Sequence, residues 1–168
     1  MDRPMRRILA STALLLTALL SGCASSGTGT LDVQATDAPD NLGDFANLMI
    51  TVSSIDVQGS GGAHSYNPSH PTFDLTKLKD GNTTSLFRDQ VAVGNYSKME
   101  FKISSAVGIL NSNGTQVDVK VPSGTMFVNQ HFAVSEGSTT TFVFDIHVVR
   151  QGNGGYSLQP NASGSKVK

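Results

Sequence analysis

The chain has 168 residues, 12 Lys and Arg against 13 Asp and Glu for a formal net charge of −1, 38 % hydrophobic and 15 % charged residues, 17 Gly, no Trp and one Cys. That length fits one ordinary domain, and the composition excludes a coiled coil, a collagen and a highly charged disordered tail. A broad nucleic-acid surface is excluded because phosphate binding needs a basic excess, and a single Cys excludes an internal disulfide framework or a zinc site of several thiolates.

Residues 1–22 read as an export signal. Arg3, Arg6 and Arg7 open it, an apolar run from Ile8 to Leu20 follows, and Leu20-Ser21-Gly22 leads to Cys23. The run is shorter than the roughly twenty residues a spanning helix needs. Leu20-Ser21-Gly22-Cys23 resembles the bacterial lipoprotein box. That resemblance implies cleavage before Cys23, a diacylglyceryl group on its sulfur and a further acyl chain on the new amine, so that the membrane is a partner through lipid. One acyl chain holds only reversibly, whereas two or three hold stably. Ala24 and Ser25, with no Asp after the Cys, resemble the outer-membrane sorting pattern of Gram-negative lipoproteins. Removing the signal, with its three Arg and one Asp, leaves 146 residues with nine basic and twelve acidic side chains, net −3.

Residues 23–30, small and polar after Cys23, read as a flexible tether. A single domain is expected over residues 31–160, where apolar residues recur at period two, the spacing of one strand face. Leu31, Val33 and Ala35 form the first set. Leu48, Ile50 and Val52 form the next, and the parity then flips to Ile55 and Val57, which predicts a bulge at Ser53-Ser54. Thr72 to Asp80 can make a short helical turn. Met99, Phe101 and Ile103; Val117, Val119 and Val121; and Phe142, Phe144, Ile146 and Val148 complete the pattern. Gly94-Asn95, Asn113-Gly114, Glu136-Gly137 and Gly152-Asn153-Gly154-Gly155 punctuate it as turns. The expectation is all-β: an antiparallel β-sandwich of about seven to nine strands. Residues 161–168 read as a frayed tail, with Lys166 and Lys168 solvated.

Thr36-Asp37-Ala38-Pro39, Phe73-Asp74-Leu75, Val93-Gly94-Asn95-Tyr96, Val121-Pro122-Ser123-Gly124, and Phe142-Val143-Phe144-Asp145 followed by Gly154 to Pro160 resemble, in order, landmarks of the DUF4382 family. The resemblance covers about Gly29 to Pro160 and implies an immunoglobulin-like or prealbumin-like sandwich in a secreted or lipid-anchored protein. It implies no particular activity.

Asp37, Asp40 and Asp44 lie close together in a loop with Asn41. Hard oxygen ligands at this density can hold Ca²⁺, although the spacing is not that of an EF-hand and no Glu closes it; the other reading is an Asx-type turn stiffened by Pro39. His64, Tyr66 and His70 fall in the stretch Gly59 to Thr72, read as the longest loop and the contact region; its two imidazoles are metal-binding candidates or simply solvated. His147 is expected at the surface, and Tyr96 and Tyr156 are expected to pack their rings with the hydroxyls in water. Asp145 sits on the outward parity of its strand, where a structural bond to a neighbouring loop is expected. No Gly-x-Ser-x-Gly elbow is present, and the one Cys belongs to the lipid.

These features point to a non-enzymatic, lipid-anchored cell-envelope protein that needs no cofactor and whose sandwich meets an envelope protein or glycan. The alternative is a Ca²⁺-dependent adhesion or carbohydrate-binding module, with a hydrolase third.

Overall fold

The computed structural model describes residues 27–38 and 41–168. Its strands are β1 (Thr28–Asp37), β2 (Phe45–Gly59), β3 (Gly62–Tyr66), β4 (Thr72–Asp74), β5 (Thr84–Ala92), β6 (Gly94–Leu110), β7 (Gln116–Asp118), β8 (Thr125–Val134), β9 (Thr139–Arg150), β10 (Tyr156–Pro160) and β11 (Lys166–Val167). One sheet runs β10-β9-β1-β5, with β11 also beside β9. The other runs β3-β2-β6-β7, with β4 beside β2 and β8 beside β6. The protein is a β-sandwich.

Period-two alternation builds the core. Leu31, Val33 and Ala35 of β1 face inward with no exposure, as do Leu48, Ile50 and Val52 of β2. The ladder between β2 and β6 slips at Thr51/Val52 and again at Val52/Ser54. That bulge returns Ile55 and Val57 to the interior. At the centre Phe101 of β6 stacks on Phe144 of β9 with ring centroids 4.2 Å apart, and Phe132 bridges Tyr96 and Phe142. Each such ring contributes about 1.5–3 kcal/mol by leaving water.

Both sides of the sandwich are stitched. Lys120 N–H donates to the Tyr156 carbonyl at 2.9 Å, and Leu158 N–H donates to the Lys120 carbonyl at 2.8 Å. On the opposite side Ser69 N–H donates to the Leu86 carbonyl at 2.8 Å. These bonds cover stretches of backbone that an open edge would leave for another chain.

Four expectations need correction. Eleven strands are present among the described residues rather than seven to nine, because β3, β4 and β11 are short edge pieces whose sequences carry too little alternation to register. The pairing is not wholly antiparallel: β1 and β9 run parallel from Thr30 opposite Thr139 to Asp37 opposite Ile146. The tether ends earlier, since Thr28, Gly29 and Thr30 belong to β1. Gly29 lies so near the next segment that an added Cβ would meet the Ser135 carbonyl oxygen at 2.2 Å, so a residue that reads as linker is a packing requirement. Residues 161–168 are not frayed. Ser165 is buried, Lys166 and Val167 pair with Val143 and Phe142, and Lys168 exchanges backbone bonds with Thr141. Lys166 and Lys168 are exposed, as expected.

The strands define two ends. At the near end, Gly27 and Thr28 meet the Val93-Gly94 turn and the Ser135 to Ser138 turn, and the Ser60-Gly61 hairpin tip lies against the Val93 to Asn95 turn, with Ser60 N–H donating to the Asn95 carbonyl. Val93 N–H donates to the Gly27 carbonyl, and Gly137 N–H donates to the Thr28 carbonyl. Ten residues of β1 then lead to the far end, about 30 Å away at the rise of an extended strand. There the Leu42–Asp44 turn, the Lys79–Gly81 turn, the Asn111 to Thr115 turn and the Gln151 to Gly155 turn gather.

Candidate functional site

A cleft of about 340 Å³ opens at the far end between Asp44, Leu110, Asn111, Ser112, Arg150 and Tyr156. Its wall is assembled from the inside. Gly108 lets the Phe45 ring lie on the β6 backbone, where an added Cβ would meet that ring at 2.4 Å. Phe45 in turn holds the Tyr156 ring edge-on at 4.7 Å. The Tyr156 hydroxyl donates to the Asp44 carboxylate at 2.8 Å. Asn111 ties the rim together: its backbone N–H donates to the Asp44 carbonyl, and its side-chain amide donates to the Gly43 carbonyl, each at 2.8 Å.

Burial, the hydrogen bond to Asp44 and the charge of Asp44 raise the Tyr156 phenol above its ordinary value, while the Arg150 guanidinium opposes them. The phenol is therefore a fixed donor that orients Asp44. Arg150 is exposed and makes no ion pair among the described residues. The cleft thus combines a positioned carboxylate, a guanidinium with its donors unused by carboxylates and two small polar side chains, a set suited to holding a polar ligand. Its volume lies near the lower limit of the about 300–1,000 Å³ typical of ligand pockets.

Asp37 and Asp44 flank the Leu42–Asp44 turn but look into different clefts. Asp37, at the end of β1, is buried and lines a second cleft of about 220 Å³ with Leu42, Lys79 and Asp80. Asp40 lies outside the described residues, as does Cys23. Among the described residues no three His, Cys, Asp or Glu side chains gather closely enough to hold a metal ion. In the same loop Asn41 has φ 44°, and its side-chain amide donates to the Val148 carbonyl at 3.0 Å.

The stretch Gly59 to Thr72 is not one long loop. Residues 62–66 are β3, a hairpin partner of β2, so His64 is an exposed strand residue opposite Val57. Tyr66 is half-buried against Phe87 at 4.8 Å, and burial raises its phenol above the ordinary value. His70 is exposed, with its backbone bonded to Leu86. Turn-rich composition hid the hairpin because Gly, Ser and His carry no alternating apolar signal.

Other residues differ from expectation in ways that have physical causes. The Tyr96 hydroxyl donates to the Ala92 carbonyl at 2.7 Å, and the Tyr156 hydroxyl is engaged by Asp44. His147 is half-buried rather than superficial. Asp145 has the outward parity of β9 yet is buried, because the turn from Asn161 to Ser165 folds over it. Asn161 donates its amide to Asp145 Oδ2 at 3.1 Å, which is the loop bond expected for that residue. Gly164 is required there, since a Cβ would meet the same oxygen at 1.8 Å. Sequence reasoning passed over Arg150 and Asn111. The available signal was position: each is a polar residue at a strand end immediately before a Gly-containing turn.

The family described as "Domain of unknown function (DUF4382)" matches residues 28–160. The chain belongs to the DUF4382 family. The matched span runs from the first residue of β1 to the last of β10, so the family domain contains both clefts and excludes the turn that covers Asp145. No curated protein matches the chain. A solved leucine-rich repeat protein from Bacteroides thetaiotaomicron VPI-5482 is similar over 70 % of this chain and 13 % of that one, at 8 % identity and a TM-score of 0.31. A score that low supports no argument about fold or function.

Proposed function

We propose that this DUF4382 protein is a lipid-anchored, non-catalytic component of the cell envelope whose sandwich presents the far-end cleft to a polar ligand, either a glycan or an envelope protein. What supports the reading is one juxtaposition: the only Cys stands in a lipoprotein-like box at position 23, and β1 begins at Thr28, at the end of the sandwich opposite the cleft. Attachment and recognition are thereby separated by the length of a strand. Placement in the outer membrane follows if the source is Gram-negative.

Intact-mass measurement of the mature protein tests the anchor. A chain beginning at Cys23 and carrying the mass of acyl groups, with Cys23→Ala moving the protein from the membrane fraction to the soluble one, supports it; a mature chain without that mass overturns it. Recognition is tested by screening glycans and envelope extracts for a ligand whose binding is lost in Arg150→Ala. Turnover in a broad hydrolase screen, abolished by one carboxylate substitution, would overturn the non-catalytic reading. For Asp37, Asp40 and Asp44, an unfolding midpoint that shifts with Ca²⁺ and reverses with EDTA would favour a Ca²⁺-dependent module instead.

A further inference from the structure

We infer that the near end of the sandwich is a membrane-contact surface, and that the Ser60-Gly61 and Val93-Gly94 tips rest on the lipid headgroups of the bilayer holding the Cys23 anchor. The inference depends on the anchor proposed above and adds to it a fixed orientation of the domain.

Reach comes first. Four residue steps separate Cys23 from Gly27, and an extended chain spans at most about 3.6 Å per step, so Gly27 lies within about 14 Å of the acylated residue. Gly27 is not a loose end of the domain: its carbonyl accepts from Val93 N–H at 2.9 Å, and the neighbouring Thr28 carbonyl accepts from Gly137 N–H at 3.0 Å. The reach of these four steps is at most about half the length of β1, so the Val93-Gly94 tip bonded to Gly27, and the Ser60-Gly61 tip bonded to it through Asn95, are held near the bilayer surface.

The chemistry of that end agrees. Ser60, Gly61, Ala92, Val93 and Asn95 form the exposed tips, and Val93 keeps 43 % of its surface exposed although it is a large apolar residue. Among the described residues of these tips and the Ser135 to Ser138 turn, Glu136 is the one formal charge, and His64 is the one imidazole beside them. Small neutral groups lose little when water is displaced by headgroups, and Val93 gains. The far end, with Asp37, Asp44, Lys79, Asp80 and Arg150, would be costly to bring to the same boundary.

The test uses the acylated mature protein in vesicles of phosphatidylethanolamine and phosphatidylglycerol. Val93→Cys, Ser60→Cys and Asn113→Cys each supply one thiol for an environment-sensitive fluorophore, because the Cys23 sulfur is blocked by lipid. The expected result is blue-shifted emission at positions 93 and 60, with quenching by lipid-borne bromine, and water-like emission at position 113. Water-like emission at all three, on protein shown by mass and flotation to be acylated and bound, overturns the inference and leaves the anchor intact. Absence of acylation overturns both. A blue shift at 93 and 60 that persists without vesicles reports association between proteins and also overturns it.

Discussion

Gly29 and Gly59 at the near end of the sandwich leave no room for a side chain, whereas Gly81, Gly114 and Gly154 at the far end serve turns of positive φ with open space around them. A Cβ on Gly29 would meet the Ser135 carbonyl oxygen at 2.2 Å and one on Gly59 the Asn95 carbonyl oxygen at 2.7 Å, so the turns there are pressed together. At the far end Gly81, Gly114 and Gly154 have positive φ and nothing within 4 Å of an added Cβ. Of the three non-glycine residues with positive φ among the described residues, Asn41 and Asp80 belong to this end. Backbone strain of this kind gathers where a structure must hold open a site. One end is closed and nearly uncharged, and the other is open, charged and strained.

The largest expected effect falls at the closed end. Gly29→Ala forces a clash with backbone rather than with a movable side chain, and about 1–3 kcal/mol of stability should be lost; a denaturant midpoint equal to that of the parent would mean this end is looser than described. At the open end, Tyr156→Phe removes the donor that orients Asp44. About 1 kcal/mol should be lost, and ligand affinity at the cleft should fall with it. Unchanged affinity in a titration would separate the Asp44 orientation from recognition.

Gly152→Ala should act with the opposite sign to Gly29→Ala. Gly152 has no positive φ and open space around it, so Ala should stabilise by about 0.4–1 kcal/mol through the unfolded chain. A loss of stability at position 152 would show that the turn there needs a glycine despite its open space.

Between the ends, Asp145 supplies a pH test. Burial holds its carboxyl above the ordinary range, with the Asn161 bond and the charges of His147 and Lys166 acting in the other direction. A folded pKa above the unfolded one means that folding takes up a proton. This group's stability contribution is therefore complete below the unfolded value of about 3.9 and is lost as pH rises through the folded value. Asp145→Asn should remove that slope, so its advantage in melting temperature over the parent grows from acid toward neutral pH. Parallel curves for the two proteins would show that Asp145 ionises without penalty.

What alternation could reveal was the inward face. Leu31, Val33 and Ala35, and Leu48 through Val57 with its bulge, announce themselves because solvent and core impose opposite residue types on successive positions. What it could not reveal was a strand buried on both faces. Phe142 to Ile146 are all buried, and Asp145 is covered by Gly164 and Asn161, residues whose small polar character reads as a tail. Partner choice was equally silent: nothing local in β1 specifies a parallel neighbour whose first paired residue is Thr139. The cleft escaped for a similar reason, since Asp44, Asn111 and Arg150 are brought together by three separate turns and share no spacing.

The parallel pairing of β1 and β9 also has a mechanical consequence. Traction between an anchor at Cys23 and a ligand held beside Arg150 pulls β1 by its first residue and β9 by its last. Their shared ladder, from Thr30 and Thr139 to Asp37 and Ile146, is then sheared along its whole length. Bonds loaded together in shear must fail together, whereas bonds peeled from one end fail one at a time. β1 is therefore seated to bear load, and pulling single molecules between residues 27 and 150 should give one high rupture in place of a staircase.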